Sequence, residues 1–135
     1  MIRALALAAL LVCSFGTEAN AMLAPHYYEQ ARRDAPNVIV LELARVETLG
    51  PLQCAVHGRV LRVERGRKYA RNEEVRILVP CFGHEQVSPP IGGAIFQDTA
   101  SLQASRYGRA YLSDQGDLLL SQYQIMADRN ARPPA

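Results

Sequence analysis

Two stretches of the chain place a cysteine three residues ahead of a histidine. One is Cys54-Ala55-Val56-His57 and the other is Cys81-Phe82-Gly83-His84. Thiolate and imidazole are the usual ligands of tetrahedral zinc, so Cys54, His57, Cys81 and His84 form a candidate metal set. The same two thiols can instead join as a disulfide, which would leave the histidines without a shared role. The two chemistries demand different local geometry, and the elements that carry the residues decide between them.

Gln53–Glu64 (QCAVHGRVLRVE) and Glu74–Cys81 (EVRILVPC) read as strands, rich in β-branched and aliphatic residues. Side chains alternate faces along a strand, so positions i and i+3 point to opposite sides. Val75, Ile77, Val79 and Cys81 share one face, with Arg76 on the other. Cys54, Val56 and Val60 share a face, and His57 and Arg59 take the opposite one. Both cysteines thus point to the core and His57 points away. A four-ligand site would need a tight knuckle at Cys54–His57, where the residues read as strand. Gly83 would permit a knuckle in the second stretch. The expectation is a Cys54–Cys81 disulfide and no bound metal or other cofactor, with the four-residue Cys/His site as its alternative.

Three more strands follow from the same patterning: Val38–Glu47, Tyr107–Ser113 and Leu118–Met126, the last two joined by the turn Asp114-Gln115-Gly116-Asp117. Gly58 is a candidate bulge within the second strand. Ala24–Ala35 can form a helix with Pro25 in its first turn, and Asp98 can cap a second short helix over Asp98–Ser105. Phe82–Gly93, with three glycines and two adjacent prolines, reads as an irregular loop. Five short strands with two helical pieces imply a mainly all-β chain, a small barrel or sandwich.

The chain has 135 residues, enough for one domain. Fifteen basic residues against thirteen acidic ones leave a net charge of +2, too near neutral to imply a nucleic-acid partner. Arg3, the apolar run Ala4–Val12 and the small-residue stretch Ala19-Asn20-Ala21 read together as a secretory signal peptide, residues 1–21, cleaved after Ala21. The apolar run is shorter than the roughly 20 residues that a membrane helix needs, and no later run is longer. Lipidation at Cys13 is the alternative, although Val12 is not the small residue that such a site places before its cysteine. The expected organisation is a helical segment over 22–35, a β-domain over 36–126 and a flexible polar tail over 127–135. The location is the periplasm or the outside, where two cysteines oxidise to one bond.

The strand Val38–Glu47, the run Gly58-Arg59-Val60, the turn Val63-Glu64-Arg65-Gly66, the strand ending at Cys81, and Gly108 ahead of Tyr111-Leu112 together resemble the netrin-like modules, the family that includes the tissue inhibitors of metalloproteinases. The resemblance covers roughly residues 36–126 and implies an exported, disulfide-bonded, five-stranded barrel of the OB type, with a short N-terminal helix and one short inserted helix. Those inhibitors chelate the protease zinc through an N-terminal cysteine. The expected mature chain starts Met22-Leu23-Ala24-Pro25, so the resemblance implies fold and export and no inhibitory mechanism.

Other chemistry is sparse. Arg62, Arg65, Arg67, Lys68 and Arg71 place five cations within ten residues, a candidate anion-binding loop. Glu64, Glu73 and Glu74 offset part of that charge. His84-Glu85 offers an acid/base pair without a nucleophile beside it. P-loop, dinucleotide, nucleophile-elbow, H-E-x-x-H and C-x-x-C motifs are absent. The expected function is a non-enzymatic binding or interaction module whose partner is a protein or an anionic surface ligand. A small metal-binding protein is the alternative, and an enzyme is a more remote second.

Overall fold

The computed structural model describes residues 23–83 and 92–134. The signal segment, Cys13, His84 and most of the Phe82–Gly93 loop lie outside the described residues. The elements run α1 (Pro25–Asp34), β1 (Asn37–Gly50), β2 (Gln53–Arg65), β3 (Glu74–Phe82), β4 (Gln97–Asp98), α2 (Thr99–Ala104), β5 (Tyr107–Leu112) and β6 (Leu118–Met126). The chain is mainly β, in one six-stranded sheet ordered β4-β3-β2-β1-β5-β6. Five strands were expected; the sixth, β4, is two residues long and pairs parallel with β3 at Cys81 and Phe82. Two residues carry no alternation for a sequence to show, and Asp98 also serves as the N-cap of α2, accepting from the Ser101 amide at 2.9 Å.

The sheet curls into a half-barrel. β1 is the shared strand: Asn37–Glu42 pairs with β5 on one side, and β2 runs the length of β1 on the other. The curl brings β3 alongside β6, and the Gln97 amide of β4 donates to the Tyr123 carbonyl of β6 at 3.0 Å, bridging the open side. The concave face carries the core: Ile39, Leu41, Val56, Val60, Ile77, Val79, Ala110 and Leu112 are buried, and Leu102 of α2 plugs one end. Gly108 makes room for the buried Tyr123 ring, which occupies the space that a Cβ would need.

The curl has a local cause. The β1–β2 ladder shifts register four times, between Val38/Ile39, Val40/Leu41, Leu43/Arg45 and Thr48/Gly50. Val38 faces Arg65 and Ile39 faces Val63, so Glu64 is an extra residue on β2; Leu61 is extra in the same way, and Ala44 is extra on β1. Each extra residue bends its strand and increases the right-handed twist. Gly58, the expected bulge, is instead a point of close approach opposite Leu43.

Both cysteines point into the core and are joined: Cys54 and Cys81 form a disulfide with Cα atoms 5.8 Å apart, both residues essentially fully buried. Closing a loop between residues 27 positions apart stabilises the chain by about 3 kcal/mol in the chain-entropy model.

The convex face is covered too: Ala35, Val38 and Tyr111 form a second buried apolar cluster with Leu119 packed against it, and a polar row lies beside that cluster. Along one row across the strands stand Arg62 of β2, Val40 of β1, Arg109 of β5 and Gln124 of β6. Arg109 is 1% exposed. A buried guanidinium needs acceptors for its five N–H groups. Its Nε donates to Glu64 Oε1 at 2.5 Å and its Nη2 to Glu64 Oε2 at 3.1 Å, a bidentate pair. Its Nη1 donates to the Gln124 side chain at 2.6 Å and its Nη2 also to the Ala131 carbonyl at 3.0 Å. The bulge therefore places the counter-charge where the sheet buries a cation.

The Arg109 hydrogen bonds hold the Glu64 carboxyl below the usual carboxylate value of 4.5, against the opposing effect of burial. A depressed folded value means that this contribution to stability is complete above pH 4.5 and is lost as pH falls through the folded value. Glu64→Gln is therefore expected to lower stability at neutral pH, with the gap to wild type narrowing below about pH 4. Urea unfolding midpoints of both proteins across that range check it. A gap that stays constant to pH 3 would contradict the ionised pair.

Candidate functional cleft

Between the bulges at Leu61 and Ala44, three cross-strand pairs remain in register: Leu41–Val60, Glu42–Arg59 and Leu43–Gly58. The twist on either side opens a cleft of about 460 Å³ across β1, β2 and β3. Leu43, Ala44, Gly58, Leu61 and Val75 supply its apolar surface; Glu42, Arg45, His57, Arg59 and Glu74 supply its charge. Arg59 meets Glu74 across the β2–β3 ladder at 3.5 Å, an exposed pair of little energetic worth. His57 Nε2 lies 3.0 Å from Glu47 Oε2, and Arg45 Nη1 lies 3.4 Å from the same oxygen. The His57 hydrogen bond, more than the Arg45 one, holds the partly exposed Glu47 carboxyl below its ordinary value. The site is a mixed-charge surface with an apolar floor, built on strands, which hold side chains more firmly than loops do.

The cleft depends on Gly58. A Cβ there would stand 2.5 Å from the Glu42 carbonyl oxygen and 2.8 Å from Leu41 Cδ1. The backbone oxygen cannot move without moving β1.

The residues singled out in the sequence are dispersed. His57 faces outward as expected, half-buried against Glu47. Cys54 and Cys81 are spent in the disulfide, so they cannot serve as thiolate ligands; this removes the four-residue Cys/His metal site, whose fourth member, His84, lies outside the described residues. Among the described residues no group of three or more His, Cys, Asp or Glu side chains stands close enough to hold a metal ion.

The five cations of the proposed anion loop do not converge. Arg62 donates to the Arg129 carbonyl at 2.5 Å and approaches Glu64 at 3.5 Å. Arg65 donates to the Arg32 and Ala35 carbonyls at 3.0 and 2.8 Å, satisfying acceptors at the end of α1. Arg67, Lys68 and Arg71 are exposed in the β2–β3 loop. That loop is fastened by the buried Asn37, whose Oδ1 accepts from the Lys68 amide at 3.3 Å while its Nδ2 donates to Asp114 at 3.0 Å. The acidic β5–β6 hairpin is thereby held beside the basic loop.

The cleft residues Glu42, Arg45 and Glu74 carried no sequence signal, since their meeting depends on where the ladder skips a residue. No family model, no curated protein and no solved structure matches the chain.

Gly58→Ala is expected to lower stability by about 1–3 kcal/mol, the range for forced overpacking. Chemical denaturation reads this directly, and a loss under about 0.5 kcal/mol would contradict the close approach of β1 and β2.

Proposed function

We propose that the protein is an exported, non-enzymatic binding module of the OB type, netrin-like at the level of fold. Its ligand surface is the cleft across β1–β3, and its ligand is a polar segment or small molecule carrying both an anionic and a cationic group. The observation that carries this reading is the convergence of Arg45, His57 and Arg59 with Glu42 and Glu74 around an apolar floor, between two bulges of a rigid ladder. Bulges recur where a sheet re-aims side chains at functional sites. A cleft with charges of both signs favours complementarity with a mixed-charge partner over capture of a simple anion.

Five principal strands, a short helix between the third and fourth of them, and the curl that brings β3 alongside β6 support the OB reading. In such barrels the face of the second and third strands takes ligands, and β2 and β3 line this cleft. The buried disulfide supports an oxidising compartment. Among the described residues no helix is long and apolar enough to cross a membrane. The His57–Glu47 pair has the form of a base and its orienting carboxylate, but among the described residues no hydroxyl or thiol is hydrogen-bonded to the ring. A second reading rests on the exposure of Arg67, Lys68 and Arg71: weak attachment to an anionic surface through the β2–β3 loop.

Backbone amide NMR distinguishes the two. The protein is titrated with tripeptides carrying one acidic and one basic side chain, and separately with vesicles rich in anionic lipid. The proposal expects peptide-induced shifts confined to residues 42–45, 57–61 and 74–75, abolished in Arg59→Ser. Shifts confined to residues 66–72, produced by the vesicles alone, would favour the loop and overturn the cleft.

A further inference from the structure

The convex row Arg62–Arg109–Gln124 does more than neutralise itself. Each of the three side chains donates to a main-chain carbonyl of one short segment that follows β6. Arg62 reaches Arg129, Arg109 reaches Ala131, and Gln124 reaches Arg132 at 3.0 Å. All three of these bonds end on main-chain carbonyls of the segment. The segment itself is shaped by a turn: Asp128 Oδ1 accepts from the Asn130 amide at 2.8 Å, and the Asp128 carbonyl accepts from the Ala131 amide at 3.2 Å. Beyond it, Pro134 lines a notch of about 210 Å³ bounded by Tyr111 and by Glu29, Arg32 and Arg33 of α1.

Two of the three donors, Arg109 and Gln124, are also held by contacts outside the segment. Glu64 fixes Arg109 bidentately, and Gln124 is oriented by accepting from Arg109 while it donates to the segment. A donor set held by its neighbours loses little freedom on binding, which is the condition for useful affinity from few contacts. Because the Arg109 charge is matched by Glu64, the seat does not require an acidic partner.

We propose that this row is a peptide-binding seat that the chain's own residues 128–134 occupy, and that a polypeptide segment of the same form competes for it from outside. The form is an aspartate-initiated turn followed by a small residue and a pair of prolines. Recognition runs through carbonyls and the turn, so Asp128 matters and the side chains of Arg129 and Arg132 do not. The seat lies on the convex face and shares no residue with the cleft.

The probe is a fluorescent synthetic peptide with the sequence of residues 127–135, ADRNARPPA. Anisotropy is measured against the full chain and against a chain ending at Asp128, whose folding is checked by circular dichroism. A tethered occupant acts at an effective concentration on the order of millimolar, so a probe that binds the shortened chain at about 10 µM should bind the full chain on the order of 100-fold more weakly. In the shortened chain Arg62→Ala should weaken binding about 3–10-fold, the loss of one net hydrogen bond. In the probe, replacing Asp128 should weaken binding, and replacing Arg129 and Arg132 together should not.

Absence of binding to a folded shortened chain, or equal binding to both chains, would overturn the proposal and leave the segment a fixed part of the fold. Where the shortened chain does not fold, amide exchange at Asn130 and Ala131 of the full chain is followed with millimolar unlabelled peptide. Faster exchange supports displacement, and unchanged exchange overturns it.

Discussion

The β1–β2 ladder cannot be regular, and most of the architecture depends on how it departs from regularity. β1 must pair with β5 at its start and with β2 throughout. A flat hairpin of fourteen and thirteen residues would leave one face open to water and bring no second wall over the core. Extra residues at Glu64, Leu61 and Ala44 supply the twist that turns a sheet into a half-barrel. They also re-aim particular side chains. The first sends Glu64 to the convex face to meet Arg109. The other two bracket the cleft.

The two faces obey different rules as a result. The concave face is apolar and closed by α2 and the disulfide, and it contributes stability. The convex face buries a cation, and the low dielectric there makes an unpaired guanidinium very costly. The pair with Glu64 therefore binds β2 to β5, and the remaining donors draw in β6 and the segment after it. Arg65 repeats the logic at the end of α1, where helix carbonyls lack partners of their own.

Much of the concave face was legible in the sequence. Alternation along Glu74–Cys81 and Gln53–Val60 placed Cys54 and Cys81 inward and His57 outward, and the disulfide followed. Both helices were legible from Pro25 and Asp98. The bulges were not: period-two alternation within a strand does not say which partner residue is skipped, and the skips fall at Leu61, Glu64, Ala44 and Leu49, none of them glycine. The five loop cations looked like one patch because they are close in sequence. The carbonyls that accept from Arg62 and Arg65 belong to Arg129 and to Arg32 and Ala35 at the end of α1, distant along the chain, so these two could not be recognised as structural. The tail, polar and proline-ended, gave no hint that three side chains hold its carbonyls.

The register of β1 against β2 is the most direct test of this account, and cross-strand nuclear Overhauser effects read it. The structure predicts contacts of Leu43 with Gly58 and of Arg45 with His57, with Ala44 skipped. A regular ladder with Ala44 opposite His57 would contradict it. One residue of slip turns every later side chain of β1 to the other face. Val46 would then leave the core, Glu47 would leave His57, and the cleft between the bulges would not exist.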